Sequence, residues 1–186
     1  LIAEKIKEKY GSSLNKEYEE VKKVISDFSL NWALEEIKID LESFGIEFDN
    51  WFSENRLYTE GKVFETIDKL QERSFIYEKD GAKWFKTTDF GDDKDRVAVR
   101  ADGTTTYYAS DIAYHKDKLE RGYTRLIDVW GADHHGYIKR VEAAIEAMGY
   151  GKNILDVVLV QIVNLFKDGQ PFVMSKRAGT FITLRD

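Results

Sequence analysis

The chain has 186 residues, 42% of them hydrophobic and 13% aromatic, enough to build a buried core, and 28 Lys and Arg stand against 34 Asp and Glu for a net charge of −6. That acidic balance argues against a protein that coats DNA, and no apolar run approaches the ~20 residues of a membrane span. Cysteine is absent, which removes disulfides and thiol catalysis and fits a reducing cytosol, so the expected location is cytoplasmic, with neither membrane nor DNA as partner.

The first 44 residues carry apolar side chains at helical spacing, Leu14, Tyr18, Val21 and Ile25 and then Leu30, Leu34, Ile37 and Leu41, which predicts a helical hairpin ending before Gly45. Residues 46–52 alternate through Ile46, Phe48 and Phe52 and read as a short strand. Val63, Phe64, Ile67 and Leu70 mark a further helix. Two short apolar runs, 75–78 and 83–86, flank Asp80-Gly81, a pair that supplies the positive φ of a tight hairpin turn. From Arg96 the pattern becomes strand (96–100), helix (106–120), strand (125–130), helix (134–148) and strand (155–163), an alternation that implies parallel βαβ units. A last hairpin, 165–174, turns at Asp168-Gly169. The expected division is a helical connective segment, 1–60, followed by a nucleotide-binding portion, 61–186.

Three stretches carry chemistry. Trp130-Gly131-Ala132-Asp133-His134-His135 ends a strand and opens a helix, where free backbone N–H groups favour phosphate. There Gly131 and Ala132 let a flat ligand approach, Asp133 can cap the helix or hold a ribose hydroxyl, and an imidazole can pack on a base. Adjacent histidines point apart on a helix and have no third ligand nearby, so no metal site is expected. On the helix 106–120, Tyr107, Asp111 and either Tyr114 or His115 share one side. An aromatic face beside a carboxylate suits a guanidinium, through cation–π contact and charge-assisted hydrogen bonds; the bland alternative is Asp111 paired with His115 and tyrosines in the core. Finally, Met174-Ser175-Lys176-Arg177 precedes Gly179 in a loop suited to a polyphosphate or, equally, to ordinary surface.

Taken in order, 106–115, 128–137 and 173–179 resemble the later half of the catalytic domain of arginyl-tRNA synthetases, class I aminoacyl-tRNA synthetases, and 80–85 and 91–97 extend the resemblance over nearly the whole chain. It implies an α/β, Rossmann-like fold of class I synthetase type, with an incomplete parallel sheet, an N-terminal helical segment and β-hairpins. It also implies ATP-dependent ligation of arginine to its tRNA through an arginyl-adenylate. By the same resemblance Met174 to Arg177 match the KMSKS loop, with Lys176 and Ser175 as catalytic residues and Met174 and Lys176 at ATP; the family's first lysine is replaced by Val173. Tyr107, Asp111 and Gly131 are placed at the arginine, and Gly131, Asp133 and His135 at the ATP. Mg²⁺ is expected with the nucleotide, and arginine, ATP and arginine tRNA are the expected partners. The HIGH motif does not occur in the 186 residues and the first residue is Leu1, so a fragment, inactive alone, is expected. Another class I nucleotidyl-transfer enzyme and a truncated, non-catalytic binding module are the alternative readings.

Overall fold

In a computed structural model the described residues are 2–14, 17–175, 179, 182, 183 and 185. They fall into two compact units, one formed by Leu1–Trp51 with Phe172–Asp186 and the other by Phe52–Pro171.

The first unit is helical. Helix α1 (Ile2–Tyr10) buries Ile6 and runs into a 3₁₀ turn, Gly11–Leu14. Helix α2 (Tyr18–Ser43) is a single 26-residue rod, not a hairpin bent between Ile25 and Leu30. The physical reason is local: residues 26–29 contain no glycine or proline, so the two apolar stripes join without a breaker. A Tyr10–Phe28 edge-to-face pair at 5.8 Å joins the two helices. The strand expected over 46–52 is also absent. Ile46 and Phe48 are exposed and no neighbouring strand among the described residues offers a ladder, so alternation alone leaves the segment irregular, with Phe48 packed edge-on against Trp51 at 5.4 Å.

The second unit holds the core. Helix α3 (Asn55–Thr59) is one short turn that buries Leu57. Helix α4 (Lys62–Glu72) begins after Gly61, whose φ of 71° turns the chain, and buries Val63, Thr66, Ile67 and Leu70 along a 3.6-residue stripe. Phe64, counted with that stripe in the sequence, points to solvent. Strands β1 (Ile76–Lys79) and β2 (Ala82–Phe85) form the expected hairpin, with Asp80 at φ 53° and Gly81 at φ 74°.

Strand β3 (Arg96–Val99) departs from the βαβ expectation. It pairs antiparallel with β2 as the third strand of that sheet, because Ala98 and Val99 find their burial in the same core as Ile76 and Phe85. Helix α5 (Tyr107–Glu120) packs against α4 and against helix α6 (Ile138–Ala147). The parallel sheet consists of β4 (Leu126–Gly131) and β5 (Leu155–Val160) in continuous register. One face of β4, Leu126 with Asp128, turns inward, and a second apolar cluster of Leu119, Leu126, Val141, Ile145 and Leu155 seats the sheet on the helices. The hairpin of β6 (Leu165–Lys167) and β7 (Gln170–Phe172) turns at Asp168 and Gly169, both with positive φ, as expected. The architecture is α/β, with a small parallel sheet, antiparallel hairpins and an N-terminal helical segment.

Candidate functional site

Helix α5 organises the site because its two sides differ. One side goes into the core through Tyr108, Ala109, Ile112 and Ala113, while Tyr107, Ser110, Asp111 and Tyr114 look out onto a cavity of about 340 Å³. The cavity is completed by Phe52, Glu54 and Leu57, from the start of the unit and from α3. Tyr114 is therefore the aromatic that shares the cavity with Tyr107 and Asp111, while His115 faces inward. Phe52 lies on Tyr114, ring centroids 4.6 Å apart, which makes one wall aromatic. Tyr107 is 83% exposed and is free to lie across an occupant.

The charged groups lining this space are carboxylates, Asp111 and Glu54, with no cation among the lining residues. Burial, against the Tyr137 hydrogen bond that favours the anion, raises Asp111 above the ordinary carboxyl range, and Glu54 raises it further by repulsion. A flat cation inside the cavity would offset both the lost hydration of Asp111 and the repulsion from Glu54. Glu54 was not visible from the sequence: it lies 57 positions before Asp111 in a segment without periodicity, and only the fold brings the two to one cavity.

The Asp111 carboxylate is held from the far side. The Tyr137 hydroxyl donates to its Oδ2 at 2.7 Å, and Tyr137 ends the 3₁₀ segment Ala132–Tyr137 that follows β4. The alternative pairing of Asp111 with His115 does not involve the carboxylate. His115 Nδ1 instead meets the main-chain oxygen of Asp111 at 2.7 Å, and its Nε2 meets Asp128 Oδ2 at 2.8 Å. Lys118 Nζ donates to the other Asp128 oxygen at 2.9 Å, so a buried carboxylate on β4 anchors α5 by two side chains. Burial pushes the Asp128 carboxyl up, but the His115 and Lys118 hydrogen bonds outweigh it and hold the group below the usual carboxylate range.

The candidate nucleotide turn sits at the carboxyl end of parallel strand β4. Gly131 closes the strand, and a Cβ there would stand 2.5 Å from Asp133 Oδ1, so this glycine gives the aspartate side chain its room. Asp133, His134 and His135 are all exposed on the 3₁₀ segment. The regular helix begins only at Ile138, later than the expected 134, and Asp133 makes no capping hydrogen bond. Gly136 disfavours helix, and the buried stripe starts at Val141, so the tighter turn persists until packing takes over. Met174 is exposed and Ser175 half-buried in the first unit, and Lys176 lies outside the described residues.

Among the described residues no three His, Asp or Glu side chains are grouped to hold a metal, and no helix is long and apolar enough to cross a membrane.

Known proteins share this framework. The family model for class I tRNA synthetases (R), catalytic domain, matches residues 4–186. The chain is 50% identical over all 186 residues to the arginine–tRNA ligase of Bacillus subtilis (strain 168), covering 34% of that protein, and 50% identical, covering 33%, to that of Geobacillus kaustophilus (strain HTA426). It spans about a third of the length of the curated relatives it matches. A solved Campylobacter jejuni structure assigned as an arginyl-tRNA synthetase superposes with a TM-score of 0.85 at 42% identity, covering 98% of this chain and 39% of that one. The Thermus thermophilus arginyl-tRNA synthetase shares the fold, with a TM-score of 0.60 at 17% identity and 77% of this chain covered, 32% of that one. The chain therefore belongs to the class I tRNA synthetases for arginine, within their catalytic domain.

Proposed function

We propose that this chain supplies the arginine-selecting part of a cytoplasmic arginine–tRNA ligase. The observation that carries the reading is the cavity in which Tyr107 and Tyr114 stand beside Asp111 and Glu54, with no lining cation. Planar guanidinium matches it better than the compact lysine ammonium: it can lie flat against a ring while its N–H fork meets a carboxylate. A site built to bond a polar side chain rejects analogues that lack it by about 10⁴-fold.

The reaction is acyl activation followed by transfer. The arginine carboxylate attacks the α-phosphorus of ATP, a P–O bond forms, and pyrophosphate leaves with the electrons of the broken bond. The adenylate then passes its arginyl group to a terminal ribose hydroxyl of the arginine tRNA, releasing AMP. In this reading Asp111 and Glu54 hold the guanidinium, Tyr107 covers it, and Gly131, Asp133 and His135 receive the adenosine at the end of β4. Lys176, with Ser175 and Met174 beside it, neutralises charge that develops on the phosphates during transfer. Mg²⁺ would accompany the ATP phosphates and would supply further neutralisation of their charge.

The test is arginylation of tRNA by the full-length protein containing this chain. Transfer of arginine supports the reading, and transfer of a different amino acid in its place overturns it.

A further inference from the structure

The bond between Tyr137 and Asp111 joins two features that the proposed function uses separately. Asp111 belongs to α5 and to the arginine cavity; Tyr137 belongs to the 3₁₀ segment that carries Asp133 and His135. Its hydroxyl donates to Oδ2 at 2.7 Å, whereas the ring of His115 is committed to Asp128 and to the Asp111 main chain. From this geometry we infer that Tyr137 is a positioning residue for arginine selection: its hydroxyl fixes the Asp111 carboxylate, so that the remaining oxygen meets the guanidinium. The inference rests on the proposed function.

The setting fits a fixed donor. The Tyr137 ring meets Tyr108 and Trp130 edge-on, each at 6.0 Å between centroids, and the Arg140 guanidinium lies 5.1 Å over its face. Tyr108 in turn donates to the Arg140 main-chain oxygen at 2.6 Å, so the first turn of α6 is tied down as well. Held on three sides, the phenol has little freedom to swing away, and a preorganised donor loses little entropy when a ligand arrives. Burial first, and then Asp111, push the Tyr137 phenol far above its ordinary range, so it remains a donor at any working pH. The groups that act on the Asp111 charge are Glu54 from the segment before α3, His115 and Lys118 on α5, and Tyr137. Of these, Tyr137 is the one that both bonds the carboxylate and sits outside α5 and the cavity lining.

Tyr137→Phe removes the hydroxyl and keeps the ring in its aromatic surroundings. In the full-length synthetase, ATP–pyrophosphate exchange measured with tRNA present should show an arginine KM raised about 10-fold, the scale of one hydrogen bond to a charged group, with kcat and the ATP KM within about twofold. The acid limb of the arginine KM should also move to higher pH, because the bond that favours ionised Asp111 is gone. In an Asp111→Asn background the same substitution should add almost nothing, and the melting temperature of each variant reports whether the fold is kept. An unchanged arginine KM, a parallel rise in the ATP KM, or a full additive penalty in the Asp111→Asn background overturns the positioning role while leaving the arginine reading intact. An unmutated enzyme that does not exchange with arginine overturns both.

Discussion

Replacing Asp111 by Asn removes one of the two carboxylate charges from the cavity proposed to take arginine, and little else. The side chain keeps its volume, and its amide oxygen can still accept from the Tyr137 hydroxyl that lies 2.7 Å from Oδ2. What disappears is a charge-assisted bond to the guanidinium, worth about 1.5–3 kcal/mol. At about 1.4 kcal/mol per factor of ten, the arginine KM should rise roughly 10- to 150-fold. The ATP KM should stay within about twofold, because the adenosine candidates Gly131, Asp133 and His135 lie on a different element. Stability moves the other way. Burial raises the Asp111 carboxyl in the folded protein, so its contribution is intact below the unfolded value of about 3.9 and is lost as pH rises through the folded value. At neutral pH the carboxylate is a cost to the empty protein, and the Asn variant should melt no lower than the parent. Steady-state exchange with varied arginine and ATP, paired with a thermal melt, gives both numbers. An unchanged arginine KM, or equal loss in both substrates, would refute the assignment of Asp111 to the guanidinium.

Lys176→Ala should slow adenylate formation about 10²- to 10³-fold, with arginine affinity by equilibrium binding nearly unchanged; equal loss of both contradicts a role confined to the transition state. Asp128→Asn should behave opposite to Asp111→Asn, because it breaks a buried pair with His115 and Lys118: stability at neutral pH should fall by about 3 kcal/mol or more, read by urea unfolding. Since the folded Asp128 carboxyl lies below its unfolded value, the parent's advantage over this variant is present above about pH 3.9 and shrinks as pH falls through the folded value. A constant difference across that window contradicts the linkage.

The sequence was most informative where local chemistry decides the outcome. Asp80-Gly81 and Asp168-Gly169 can both adopt positive φ, and each closes a hairpin. The period of α5 placed Tyr107 and Asp111 on one side, and the cavity has both, with Tyr114 as the third member. Where an outcome depends on partners distant in the chain, the sequence was silent or misleading. Residues 46–52 alternate like a strand but find no pairing strand among the described residues, and β3 joins β2 because the hairpin's edge was available beside a shared core. Glu54 and Tyr137 are not legible in the sequence for the same reason, each reaching Asp111 only through tertiary folding. Asp128 did leave a trace: it occupies an inward position of the alternating strand β4, where a lone carboxylate would be costly without the partners that α5 provides.

In the proposed function, a cavity lined by two carboxylates and two tyrosines selects a cation with a flat face. Citrulline has arginine's shape without its charge, and lysine has the charge without the planar fork. The most direct measurement is therefore ATP–pyrophosphate exchange by the full-length enzyme, with tRNA present, driven by arginine, citrulline and lysine in parallel. Arginine should exceed each of the others by about 10⁴ in kcat/KM. Comparable exchange with citrulline would contradict the claim, because it would mean that Asp111 and Glu54 do not read the charge.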